Sequence, residues 1–320
     1  MALNRDKPDQ WKRDIIQSVD MYNDWFMNFA PSAFRKTRIK TTRQVQSALK
    51  TTGNFLKLQP DILKEHPHIL PTLRMSTCPP LAVDRLIGLA RVPNSLVKRI
   101  ENRGKLPIKM KEEQLNNELR KIIQIIIKMA DPDIFIWLNR KKSPTTVEVR
   151  RAATIIADRL CGAVANPIIR NAQEKRQLNN IGNWLKKRGF KPIPVGKGIT
   201  FENMPQGSFG FHMNVPVTLE RTGKQINIPI DAVIMPKQAK KKNLPLFFEA
   251  KSAGDFTNVN KRRKEEAIKM AQLRYTYGEM VSYNLFLCGY FDSGYLGYEA
   301  AEGIDWVWEH RIDDLKYLGL

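Results

Sequence analysis

Three side chains in the second half of the chain combine types that do chemistry together: Asp231, Glu249 and Lys251. Each stands in an apolar run. Asp231 lies in NIPIDAVIM, residues 227–235, and Glu249 and Lys251 in LPLFFEAKSAG, residues 244–254. An isolated charge in apolar surroundings is expensive unless it is paired or holds a metal. On a strand, residues two apart project to the same side, so Glu249 and Lys251 point together while Ala250 offers its backbone. If the strand carrying Asp231 is a neighbour, two carboxylates and an ammonium meet. Two close carboxylates repel unless a cation sits between them. An all-oxygen set of Asp231, Glu249 and the Ala250 backbone suits a hard ion such as Mg²⁺. Such an ion activates water and polarises a phosphoryl oxygen, and a lysine beside it supplies positive charge to the phosphate.

The overall charge agrees with that chemistry. Lys and Arg number 53 against 32 Asp and Glu, a formal net charge of +21 over 320 residues. Such an excess seeks a polyanion, with nucleic acid first and a membrane surface well behind. A phosphodiester is then the expected substrate. An acid-x-lysine triplet is common in a charged chain, and Asp314 to Lys316 also fits the pattern. That second copy lies in an amphipathic tail with no apolar strand around it. The plain alternative for Glu249 and Lys251 is a structural salt bridge within the sheet.

The elements that must carry these residues can be read around them. From residue 166, NPIIRNAQEKRQLNNIGNWLKKRGF predicts one amphipathic helix, with Pro167 in its first turn and Gly189 at its end. KPIPVG begins extended structure. Strands follow at FGFHMNVPVTLE, KQINIPIDAVIM and LPLFFEAK, then a helix over VNKRRKEEAIKMAQLRYTYGEM and a strand at YNLFLCGYF. The order describes an α/β (α+β) domain, a mixed β-sheet flanked by helices.

The first part of the chain reads as helices broken by prolines. Trp11, Ile15, Val19, Tyr22, Trp25, Phe26 and Phe29 recur at helical spacing, a core pattern, with Pro31 expected to end the helix. Residues 81–107 outline a helix-turn-helix, with Asn94 or Ser95 as cap of its second helix and Gly104 as its stop. Lys98, Arg99 and Arg103 on that second helix are candidates to meet DNA, the alternative being a helical hairpin with a basic face in water. A soft boundary near Ser143 separates a helical region, 1–143, from the domain with the acids, 144–320.

Other features set bounds. Cys78, Cys161 and Cys288 are far apart and read as ordinary thiols in a reducing cytoplasm. His66 and His68 flank a proline, and no further zinc ligands lie near them. No secretory core opens the chain, and no run approaches the ~18 apolar residues of a membrane span.

The spacing PID, 17 residues, EAK resembles the PD-(D/E)xK nuclease superfamily, in which an N-terminal helix precedes a mixed sheet with the acids and lysine on adjacent central strands. Here Ile230 separates Pro229 from Asp231, where the superfamily motif has Pro and Asp adjacent. WKRDIIQSVDMYNDWFMNFAP, NPIIRNAQEKRQL and FFEAKSAGDFTNVNKRRKEEAIKMAQLR look like the XamI-type restriction endonucleases. That resemblance implies a type II enzyme cutting double-stranded DNA at a short palindrome with Mg²⁺, a homodimer in the cytoplasm, and a cognate DNA methyltransferase as functional partner. It implies metal ligation by Asp231 and Glu249 and a catalytic role for Lys251. Glu174 matches an acid that several superfamily branches add from the N-terminal helix, the alternative being a surface glutamate. Gln272, on the helix after the lysine strand, is a further candidate to orient a phosphate or a water. Lys261, Arg262, Arg263 and Lys264 follow the active strand closely and are expected on phosphate, with Arg170 and Asn171 as lesser candidates. Two other functions fit the same residues: a repair or junction-resolving nuclease of this fold, and a helix-turn-helix regulator whose nuclease-like domain only binds.

Overall fold

A computed structural model describes residues 2–140, 142–193, 200–240, 243–256 and 259–320, with the backbone alone for 259–262. Helices come first: α1 (Pro8–Thr51), α2 (Pro60–Glu65), α3 (Leu70–Met75), α4 (Val83–Ala90), α5 (Asn94–Arg103), α6 (Glu112–Lys128) and α7 (Thr146–Lys187). The rest alternates: β1 (Lys191–Pro192), β2 (Ser208–Thr218), β3 (Gln225–Met235), β4 (Leu246–Ala253), α8 (Val259–Tyr277), β5 (Tyr283–Gly289), α9 (Ser293–Ala301) and β6 (Asp305–Trp308). The chain divides into two compact units, Ala30–Ile169 on one hand and Met1–Phe29 with Arg170–Leu320 on the other. Ser143, the expected boundary, falls inside the first of these, just before α7.

The division between units falls inside α1 and α7, and both helices correct the sequence reading. Pro31 does not end α1 and Pro167 does not begin a helix; each lies inside a continuous one. An internal proline loses one backbone bond and costs about 3 kcal/mol. Each helix offsets that cost by burying apolar residues on both sides of its proline. In α1 these are Trp11 and Tyr22 before it and Val45, Ala48 and Leu49 after it. In α7 they are Ala152, Ile156 and Leu160 before and Leu178, Ile181 and Leu185 after. α7 also holds an 18-residue window with a mean hydropathy of 1.3, long and apolar enough by composition to cross a membrane, a stretch the sequence reading passed over. Its apolar residues Ala152, Ile156 and Leu160 belong to the helical core.

Within residues 30–169, α4 and α5 form the expected helical pair. Arg91 turns the chain at φ +51° and Gly104 stops α5 at φ +60°. The expected cap is corrected: Pro93 precedes α5 and neither Asn94 nor Ser95 caps it through a side chain. Leu86, Leu96, Val97 and Ile100 are buried, which leaves Lys98 and Arg103 outward.

The second unit is built on a six-stranded mixed sheet whose spatial order follows the sequence, β1 to β6. β2–β3 and β3–β4 pair antiparallel; β1–β2, β4–β5 and β5–β6 pair parallel. One face packs Val233, Phe247, Leu285 and Leu287 with Met270 and Leu273 of α8 and Tyr295 and Leu296 of α9. The other packs Ala232, Ile234, Phe248 and Phe286 with Leu178, Ile181 and Leu185 of α7. β4 and β5 are buried on both faces, which explains their nearly unbroken apolar sequence.

Candidate active site

β3 and β4 pair from Ile234↔Leu246 to Ala232↔Phe248 and then part. Asp231 is the first residue beyond that pairing. There the alternation of β3 slips by one: Ile228 and Ile230 before it, and Val233 and Met235 after it, all join the core under α8. β2 switches faces at the same level. Phe209 and Phe211 join the core under α7, Val215 and Val217 the one under α8, and His212 between them has φ +51°. A non-glycine residue at positive φ breaks the regular pleat. The slip lets the Asp231 carboxylate reach across to β4, where Oδ2 accepts the backbone N–H of Ala250 at 2.9 Å.

Glu249 shares the parity of Phe247 and turns under α8, only 6% exposed. Its Oε1 accepts from Lys251 Nζ at 3.2 Å and from Lys269 Nζ at 2.7 Å. Its Oε2 is buried and has no hydrogen-bond partner among the described residues. Lys251 Nζ also lies 3.3 Å from Glu266 Oε1. Behind the strand, the wholly buried Gln177 of α7 donates from Nε2 to the carbonyls of Lys251 at 3.2 Å and Phe286 at 3.0 Å, tying β4 and β5 to the helix.

The electrostatics follow from burial. Asp231 is pushed up to about 6, first by burial and then by the charge of Glu249, with the Ala250 amide and Lys251 opposing. Burial works against the charge on Lys251, but Glu249 and Glu266 together outweigh it and hold the ammonium above its ordinary value. The site therefore gathers more negative charge than it neutralises by itself. Its donors at Asp231 and Glu249 are carboxylate oxygens, with the Ala250 backbone between the strands. A buried, unpartnered oxygen on Glu249 and the carboxylate of Asp231 fit a hard divalent cation.

Glu174 of α7 stands near this point. One ligand atom each from Glu174, His212 and Asp231 lie within 4.8 Å of one another, and His212 Nδ1 is 3.8 Å from Glu174 Oε1. A cleft of about 180 Å³ runs alongside, lined by Arg170, Gln173, Glu174, Gln177, Ala250, Lys251, Ser252 and Glu265. Gln272 is not brought in: its side chain forms no hydrogen bond to Asp231, Glu249 or Lys251, and α8 reaches them through Glu266 and Lys269.

The basic candidates separate. Arg170 and Asn171 are exposed, and Arg170 lines the cleft. Arg263 is half-buried with its guanidinium 3.9 Å from the Tyr298 ring centroid, whereas Lys264 is exposed. The side chains of Lys261 and Arg262 lie outside the described residues. In the other unit, Lys98 pairs with Asp84 at 3.4 Å, Arg99 donates to the Leu106 carbonyl at 3.1 Å, and Arg103 is exposed.

The sequence reading gave no part to His212, Glu266, Lys269 or Gln177. One signal was there: Glu266 shares a helical stripe with Met270 and Leu273, and a charge in an apolar stripe asks for a buried partner. His212 carried none, because its position depends on the slip in β2.

Comparison with known proteins bears on the chain as a whole. A family model described as the XamI restriction endonuclease matches residues 53–308. The chain is 49% identical over 317 residues to the type II restriction enzyme SalI of Streptomyces albus G, covering 99% of each. A solved structure, protein VC1899 from Vibrio cholerae, aligns with 80% of this chain and 55% of its own at 12% identity and a TM-score of 0.28, a likeness that carries no weight for fold or function.

Proposed function

Because the chain belongs to the XamI restriction endonuclease family, we propose that it is a type II restriction endonuclease, hydrolysing phosphodiester bonds of double-stranded DNA at a short palindromic site with Mg²⁺. The observation that carries this reading is the meeting of Asp231, Glu249 and Lys251 where β3 and β4 part, beside a cleft. Asp231, Glu249 and the Ala250 carbonyl are the groups that would hold the ion, with Glu174 and His212 next to them. When bound, the ion supplies Lewis acidity at the phosphoryl oxygen and lowers the pKa of water.

The residues of the chain do the rest. The Ala250 amide fixes the rotamer of Asp231, so one carboxylate oxygen is spent on orientation and the other is left for the ion. Lys251 keeps its charge between two carboxylates and can turn a donor towards a non-bridging phosphate oxygen. The exposed Arg170 beside the cleft, with Asn171 and Lys264, would hold the DNA backbone and make binding weaken with salt. Exposed Lys98 and Arg103 of α5 are placed on DNA in this reading.

Cutting both strands of a palindrome calls for two copies related by a two-fold axis, so a homodimer is part of the proposal. A cognate DNA methyltransferase protecting the host site, and a cytoplasmic location, go with it. The test is digestion of a plasmid of known sequence with Mg²⁺, with a chelator control and mapped ends. Discrete fragments ending at one short palindrome are expected. A repair or junction-resolving nuclease would leave the intact duplex uncut and act on branched or damaged substrates. A regulator would bind without cutting.

A further inference from the structure

Lys251 is gripped on two sides, and only one of them belongs to the carboxylates assigned to the ion. Its Nζ lies 3.2 Å from Glu249 Oε1 and 3.3 Å from Glu266 Oε1. Glu266 is 0% exposed, on the apolar stripe of α8. A carboxylate placed there carries a large desolvation cost, so its position needs an explanation beyond packing. Its other oxygen, Oε2, accepts the hydroxyl of Tyr295 from α9 at 2.6 Å. Glu299, also fully buried on α9, has the same carboxylate as a charged neighbour; burial first and the Glu266 charge second raise it to about 9. Glu266 is thus itself fixed from behind by the Tyr295 hydroxyl of α9.

A lysine ammonium has three donors on a flexible four-carbon stem. Held by Glu249 alone, it could swing about that contact. Resting on the assignment of Lys251 above, we propose that Glu266 is a positioning residue: Tyr295 fixes its carboxylate, which holds the Lys251 ammonium by charge on one side while Glu249 accepts a hydrogen bond from it on the other, and a remaining donor is thereby aimed at a substrate phosphate oxygen in the cleft. α8 and α9, which hold no assigned ligand of the ion, become part of the catalytic apparatus through this contact.

The test uses the full chain with the variants Glu266→Gln and Tyr295→Phe. Four quantities are measured: single-turnover cleavage of a cognate duplex in Mg²⁺, affinity for that duplex in Ca²⁺, Mn²⁺ affinity by electron paramagnetic resonance, and Tm. In Glu266→Gln, cleavage should slow about ten- to a hundredfold, the scale set by misplacing a reacting group, while duplex and Mn²⁺ affinities stay within about twofold. Tyr295→Phe should show the same split with a smaller slowing. A cleavage rate within twofold of wild type in Glu266→Gln overturns the proposal, as does a loss of rate that follows a loss of Mn²⁺ affinity or of Tm. If Glu266→Gln does not fold, Tyr295→Phe decides alone, and an unchanged rate there overturns it. Full activity in Lys251→Ala would instead remove the underlying site assignment, so the two failures are distinguishable.

Discussion

The amide of Ala250 donates to Oδ2 of Asp231 at 2.9 Å, joining β4 to β3 one step past their last paired residues, Ala232 and Phe248. The bond serves structure and chemistry at once. It closes the gap where the strands part, and it fixes the acid at the mouth of the site. Asp231→Asn should separate the two roles. The amide oxygen can still accept from Ala250, so Tm should stay within a few degrees. The charge is gone, so Mn²⁺ affinity and Mg²⁺-dependent cleavage should fall, the latter by at least about a hundredfold. Calorimetric melting beside single-turnover cleavage checks both halves.

Gln177 donates to two carbonyls in the interior, those of Lys251 and Phe286. Gln177→Leu keeps the volume and removes this second donor, while the β4–β5 ladder still serves both carbonyls. The expected loss is about 0.5–1.5 kcal/mol of stability, read from denaturant unfolding. Because one of the carbonyls belongs to Lys251, cleavage should also slow. Unchanged stability and rate would mean that the contacts of Gln177 add nothing to the ladder bonds these carbonyls already make.

Glu299 gives a pH signature. Its folded-state pKa is raised from 4.5 to about 9 by burial and by Glu266. Between those values the folded chain holds a proton that the unfolded chain has lost, so this group makes stability fall as pH rises through that window. Glu299→Gln keeps a neutral side chain near Glu266 and cannot ionise. Its Tm relative to wild type should therefore climb between pH 5 and pH 8.5, on a scale set by the coupled pair of acids. A Tm difference that stays constant across that range would show that Glu299 ionises at its ordinary value.

Arg103 is exposed at the end of α5, just before the Gly104 stop. If α5 lies on DNA, Arg103→Ala should weaken cognate and non-cognate duplex about equally and lower the slope of log affinity against log salt by about one. Fluorescence anisotropy at several salt concentrations measures both. An unchanged slope would assign α4 and α5 to a helical hairpin in water.

The sequence showed the order of strands and helices around the site because hydrophobic alternation and turn residues are local signals. PIDAVIM and LFFEAK read as strands from their own residues, and the structure pairs them antiparallel. Pro31 and Pro167 misled because a local penalty of one lost bond was weighed without the burial on both sides of each proline. The slip at His212 and Asp231 was hidden for a different reason: it is a property of two strands together, visible only when Phe211 and Val215 are seen facing different cores. Glu266, Lys269 and Gln177 reach the site from α8 and α7, and no spacing along the chain announces which turn of a helix will face a given strand. In contrast, Gln272 was one turn too far along α8 to serve.

The central claim is that Asp231, Glu249 and Lys251 act as one phosphodiesterase site. Its most direct measurement is single-turnover cleavage of a cognate duplex by Lys251→Ala in saturating Mg²⁺, with duplex binding followed in Ca²⁺. The account predicts no product on the timescale of complete wild-type digestion and duplex affinity close to that of wild type. Cleavage by Lys251→Ala at the wild-type rate would contradict it.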